Sequence, residues 1–193
     1  MAKQIAIRDA FGAALEKLGH QNPEVVALEA DVGGSTKSIL FGKSFPERYF
    51  NVGIAELNMV SMAAGMASSG LIPFVNTFAA FMSGRAGDPI NGLIAYDSLN
   101  VKLCGTYCGL SDSYDGASHH ATSDLALVRS LPNMTVISVC DAVETEKAVF
   151  AAAIFPPSRL RFLSAGLDKP VTLNSPILPL WLSPPLMRTV SRT

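Results

Sequence analysis

Short apolar runs alternate with helical periods along most of the chain, and that alternation limits the fold more than any other feature. VVALEA (25–30), YFNVG (49–53), IPFVNTF (72–78), NVKLCG (100–105) and MTVISV (134–139) read as strands, because each is a brief apolar run bounded by turn residues. Helical periods fill the gaps: 4–19, 54–69, 79–96, DLALVRSLP (124–132) and 141–155, the last with Asp141 as its N-cap. Gly70 ends the second helix, and Gly84, Gly87 and Pro89 interrupt the third. Strand, loop, helix, strand, repeated in this way, predicts an α/β fold: a parallel sheet with helices on both faces. Ligands of such sheets collect at the loops that follow the C-terminal strand ends. The loops at 31–38, 51–56, 76–81 and 106–120 are therefore expected to converge on one cleft.

The chain has 193 residues, enough for one sizeable core and a tail. Only 16% of residues are charged, against about 25% for an ordinary soluble domain, so much of the surface is expected to meet another chain. A net charge of −1 gives no attraction to nucleic acid or to an anionic membrane. No apolar run reaches the ~18 residues of a membrane span, and the N-terminal stretch is an amphipathic helix without a signal-peptide core. Cys104, Cys108 and Cys140 form no disulfide framework and no paired metal motif, which fits buried structural thiols in a reducing cytoplasm. Beyond residue 155 the composition shifts. Seven of the 12 prolines fall in 156–193, where Asp168 is the one acidic residue. One last strand is expected at 159–164. The predicted division is a domain over 1–165 and a Pro-rich irregular tail over 166–193, a remnant where a further domain would begin.

Glu56 in NVGIAELNM is the only charge between Arg48 and Arg85, and the SMAAGMASSG after it is small and apolar. The plain reading is a carboxylate at a helix N-terminus, favoured by the dipole. The functional reading is a desolvated acid that shares a proton with a ligand nitrogen. His119 and His120 in YDGASHHATSD are either solvated loop histidines or an acid–base pair, and no third ligand at useful spacing accompanies them to argue for a metal. Phe78 and Phe81, three apart, are predicted on one helical face, as core or as the apolar wall for a flat heterocycle. Asp31 and Ser35 belong to a glycine loop, DVGGSTKS, that is explained by turn chemistry or by an anion held on its backbone, although it is neither a P-loop nor GxGxxG.

Taken in order, DVGGS, NVGIAELNM, PFVNTFAAF, NVKL, DGASHH, LVRSLPNMTV and DAVE resemble the pyrimidine-binding domain of the transketolase family over about residues 4–150, and are most similar to the C-terminal subunit of split transketolases. The resemblance implies thiamine diphosphate as cofactor, with Glu56 bonded to the aminopyrimidine N1′ so that the imino tautomer can take the thiazolium C2 proton. It implies a pyrimidine pocket formed by Phe78 and Phe81, with Asp31 close to the cofactor. His119 would assist proton transfer at the substrate oxygens, with Asp115 and His120 on the sugar. Arg8 and Ser35 would hold a sugar phosphate. The implied reaction moves a two-carbon ketol unit between sugars, in pentose phosphate metabolism.

The chain departs from the family pattern at Leu57, Tyr107 and Gly84, where the family commonly has histidine or glutamine, histidine, and an aromatic residue. The segment RLRFLSAGLD is a blurred version of the usual phosphate-binding strand, and Arg161 is its weak candidate. No GDG-to-NN motif is present, so the diphosphate and Mg²⁺ are expected on a partner, an N-terminal transketolase subunit, in a heterotetramer. Two rivals stay within thiamine enzymes: a 1-deoxyxylulose-5-phosphate synthase-like chain and a 2-oxoacid dehydrogenase β-like chain. The third is a truncated, non-catalytic remnant that only binds partners.

Overall fold

The computed structural model describes residues 5–154 and, for 160–165, the backbone. Six strands form one sheet: β1 (Val25–Glu29), β2 (Tyr49–Asn51), β3 (Ile72–Phe78), β4 (Lys102–Thr106), β5 (Met134–Val139) and β6 (Leu160–Ala165), in the order β2-β1-β3-β4-β6-β5. Every pairing is parallel. All six predicted strands are present, with ends shifted by a residue or two. The tail that the sequence places at 166–193, and the side chain of Arg161, lie outside the described residues.

The helices are α1 (Ile7–Gln21), α2 (Gly33–Thr36), α3 (Ile39–Ser44), α4 (Glu56–Ser68), α5 (Ala79–Arg85), α6 (Gly87–Pro89), α7 (Asp124–Ser130) and α8 (Ala142–Ile154). A π-helical stretch over Ile90–Ala95 continues α6, so the single helix predicted at 79–96 is broken into three. The segment predicted as a glycine loop at 31–38 contains the one-turn α2. Gly70 stops α4 as expected, at φ 93°, a conformation a glycine reaches without strain. Asp141 caps α8: its Oδ1 accepts the Glu144 N–H at 2.7 Å, while Glu144 Oε2 accepts the Cys140 N–H at 2.8 Å.

Alternation along the strands sorts the core into two layers. Val25 and Ala27 of β1 and Phe74 of β3 face Phe11, Leu15, Phe41 and Val149, from α1, α3 and α8. Val26 and Leu28 of β1 and Val75 of β3 face Met59 and Val60 of α4, Met82 of α5 and Val128 of α7. Each large side chain buried in these layers contributes about 1.5–3 kcal/mol relative to exposure. The predicted helix at 54–69, apolar in composition all round, buries one side and leaves Leu57 exposed, with Ile54 exposed just ahead of it. Of the cysteines, Cys104 is buried with its thiol pushed up by desolvation, Cys108 is half-buried, and Cys140 is exposed, contrary to the expectation of three buried thiols. Among the described residues no helix is long and apolar enough to cross a membrane.

The parallel register aligns the C-terminal ends of the strands. Glu29 stands opposite Asn51 and Asn76, and Asn76 opposite Cys104. The chain leaves β1 for β2 on one side and continues to β3 on the other, so the loops after β1 and β3 diverge at a topological switch point, the place where sheets of this kind bind ligands in a crevice.

Candidate active site

Four loops leave the strand ends at this crevice. The first follows β1. Asp31 sits there in the left-handed region at φ 62°, unusual for a residue with a side chain. Asn51, ending β2, holds it: Asn51 Oδ1 accepts the Asp31 N–H at 3.1 Å and the Gly53 N–H at 3.0 Å, and Asn51 Nδ2 donates to Asp31 Oδ1 at 3.0 Å. One side chain thus joins DVGGS to NVGIAE. Ser35 lies further along the same loop, half-exposed on α2, with its N–H given to the Val32 carbonyl at 2.8 Å.

Glu56 is the first residue of α4 and is 3% exposed. The helix N-terminus favours its charge, as the plain reading has it. It is not alone, however: Arg85 Nη1 donates to Glu56 Oε1 at 2.8 Å, and about half of the Arg85 side chain remains exposed. The guanidinium carbon also lies 4.0 Å from the centroid of the Phe81 ring. The two charges that bracket the apolar stretch on either side of Glu56 are Arg48 and Arg85, and the second folds back onto it.

The aromatic residues form one continuous wall. Phe78 and Phe81 are 5.7 Å apart, nearly parallel. They do not share a helical face as the sequence predicts: Phe78 ends β3 and Phe81 lies in the first turn of α5, so the strand-to-helix corner sets their stacking. The His119 ring stands 4.9 Å from Phe81, edge to face, and 5.9 Å from Phe78. Tyr107 packs 4.8 Å from Phe78, tilted to its ring, and adopts φ 57°. Its hydroxyl accepts a hydrogen bond from Arg8 Nη1 at 2.5 Å, which brings α1 to the same wall.

The structure therefore gathers Glu56, Phe78, Phe81 and His119 into one cluster, with Arg8 joined through Tyr107 and Asp31 and Ser35 on the neighbouring loop. The DGASHH loop contributes unequally. His119 reaches the wall, whereas His120 Nε2 is buried with no hydrogen-bond partner among the described residues. Asp115 is exposed and lies beside Asp112, whose carboxyl is raised by burial first and by Asp115 second. No described contact links Asp115 to the aromatic wall. Arg85 and Glu29 are the residues the sequence reading passes over. Arg85 had a signal, since it lies four residues after Phe81 on one helix, a spacing that puts both on the same face. Glu29 had a fainter one, as a carboxylate closing an otherwise apolar strand.

A buried carboxylate at the edge of a stacked aromatic wall suits a flat, nitrogen-containing ring: the wall takes its faces and the acid takes a ring N–H. Comparison with known proteins points the same way. The family described as "Transketolase, pyrimidine binding domain" matches residues 3–163. A protein of Methanocaldococcus jannaschii named as a transketolase C-terminal section is 45% identical over 143 residues, covering 74% of this chain and 45% of its own length. Human transketolase is 47% identical over 151 residues, covering 78% of this chain and 24% of its own. The chain thus spans less than half the length of these relatives. Among solved structures, a split-gene transketolase described as an inactive β4 tetramer superposes with a TM-score of 0.77 at 44% identity, over 89% of this chain and 54% of that one. Leishmania mexicana transketolase superposes with a TM-score of 0.77 at 26% identity, over 86% and 26%.

Proposed function

The chain belongs to the family of transketolase pyrimidine-binding domains, and we propose that it is the pyrimidine-domain subunit of a split transketolase, transferring a two-carbon ketol group between sugars. The observation that carries this reading is the Glu56 carboxylate, 3% exposed and joined through Arg85 to Phe81, whose ring packs with those of Phe78 and His119. These residues fit the aminopyrimidine end of thiamine diphosphate. When bound, that cofactor supplies the electron sink for breaking the carbon–carbon bond next to a ketose carbonyl.

The chain's own residues have separate tasks in this reading. Phe78 and Phe81 stack against the ring and exclude water from Glu56. Glu56 shares a proton with the ring nitrogen, and its burial makes that contact count for more than it would in water. His119, held edge-on to Phe81 with its Nδ1 3.0 Å from Ser118 Oγ, is placed to move a proton at a substrate oxygen. Asp31 contacts the cofactor. Arg8 and Ser35 bind the substrate's anionic end, and Asp115 and His120 its hydroxyls. Tyr107, already bonded to Arg8, borders that anionic end.

Among the described residues no group of three or more His, Cys, Asp or Glu side chains is arranged to hold a metal ion. The residues here do not fit the diphosphate's divalent cation, and we assign both to an N-terminal partner subunit. The inactive β4 tetramer of the split-gene relative supports this assignment, and we infer a heterotetramer as the active form of the present chain.

The test is co-expression with a subunit carrying the diphosphate-binding domain, followed by a ketol-transfer assay over several sugars. The complex is expected to turn over and the chain alone to be inactive. Glu56→Gln should lower turnover by roughly 10²–10⁴-fold, the range for a lost acid–base contribution, with assembly intact. Full activity of that variant would remove Glu56 from the chemistry.

A further inference from the structure

Glu29 ends β1 with no solvent exposure, and the reaction above makes no use of it. Its Oε1 accepts the backbone N–H groups of Ala30 and Val32, each at 3.1 Å. Its Oε2 accepts the Thr36 hydroxyl at 2.9 Å and the Ser38 hydroxyl at 2.5 Å. Those two hydroxyls lie 3.1 Å apart, and Ser38 Oγ is 3.4 Å from Tyr49 Oη on β2. One carboxylate therefore grips both ends of the segment 30–38. Two residues of that segment, Asp31 at φ 62° and Lys37 at φ 67°, hold left-handed conformations that persist only when their surroundings enforce them. The grip is close: a Cβ on Gly33 would lie 2.3 Å from Tyr49 Oη and 3.3 Å from Glu29 Cγ.

We propose that Glu29 is a positioning residue of the active site, clasping the loop 30–38 so that Asp31 and Ser35 are presented to the crevice. The proposal rests on the reading of those two residues as cofactor and substrate contacts. The clasp works in either ionisation state. Ionised, the carboxylate accepts all four bonds. Protonated, it still accepts the two backbone N–H groups through Oε1 and gives its own proton to a hydroxyl, which can accept as well as donate. The titratable groups that feel its charge are Tyr49 from β2 and Cys104 from β4. Burial, opposed by the four hydrogen bonds, pushes the Glu29 carboxyl up to about 7.

Amide hydrogen exchange on the full chain tests this without partner or cofactor. Glu29→Ala removes all four bonds and should speed exchange of the 30–38 segment by about tenfold or more, leaving α1 and α4 at wild-type rates. Glu29→Gln should behave as wild type, because an amide oxygen serves the backbone donors and its NH₂ serves the hydroxyls. Ser38→Ala, which removes one of the four bonds to the carboxylate, should give a smaller acceleration in the same segment. Unchanged loop exchange in Glu29→Ala and Ser38→Ala, acceleration spread over the whole chain, or Glu29→Gln as damaged as Glu29→Ala would overturn the clasp. In the complex with the diphosphate-domain subunit, Glu29→Ala should raise KM for a phosphorylated acceptor more than it lowers kcat. A faster-exchanging loop with KM unmoved would overturn the presentation of Asp31 and Ser35 while leaving the fold assignment and the role of Glu56 in place.

Discussion

Glu29 and Glu56 are both buried carboxylates at the strand ends, and they were unequally legible in the sequence. Glu56 stood out because a lone charge in an apolar stretch has no ordinary use. Its partner did not, since Arg85 is 29 residues away and only the turn from β3 into α5 returns it. Arg85→Ala leaves the Glu56 carboxylate buried without its ion pair. Because Arg85 is half-exposed, the expected loss is about 1–2 kcal/mol, below the range for a fully buried pair. Urea unfolding checks it, and adding Glu56→Gln to Arg85→Ala should recover part of the loss by removing the unpaired charge. Glu29 carries a pH dependence. Its carboxyl is raised from 4.5 to about 7 in the folded chain, so between those values the native state binds more protons than the unfolded one. Stability is therefore greatest below pH 4.5 as far as this group is concerned, and falls as pH rises to about 7, by on the order of 3 kcal/mol. Asp112, also raised, adds a slope of the same sign. Glu29→Gln should flatten most of the decline between pH 4.5 and 7 in a set of denaturation curves, and a slope equal to wild type would show that another group carries it.

Elements were easier to find than to bound. The strands declared themselves by short apolar runs, and α4 by its length and its glycine stop. Which side of α4 faces the core was not legible, because nearly every position is apolar or small. The short α2 was hidden for a different reason: GGST has poor helix propensity, and the turn exists because side chains of Glu29, Thr36 and Ser38 hold it from inside. The two glycines of that turn should respond differently to the same change. Gly33→Ala puts a methyl 2.3 Å from Tyr49 Oη and is expected to cost about 1–3 kcal/mol, whereas at Gly34 a Cβ meets nothing within 4 Å. Gly34→Ala is expected to be neutral or to stabilise by up to about 1 kcal/mol, and chemical denaturation of the pair separates the two cases.

For the whole molecule, the sequence predicted a parallel sheet with covered faces, and the structure has it. Strand order was out of reach, because it is decided by pairing between segments distant in the chain. The surface is also a whole-molecule property. Ile54, Leu57, Leu93 and Tyr96 are all substantially exposed, which a lone chain rarely tolerates in combination. The isolated chain is expected to self-associate above its 20.4 kDa mass, and Leu57→Glu to shift light-scattering masses back toward it. The sheet order also sets a schedule for synthesis. β5 joins the sheet only through β6, which is made later and inserts between it and β4. Until the ribosome has delivered residue 165, the nascent chain holds β4 with an open apolar edge and β5 with no neighbour at all. Folding of this half of the sheet is thus deferred until β6 has been made, and a chain arrested before residue 160 would leave that edge to whatever strand it met first.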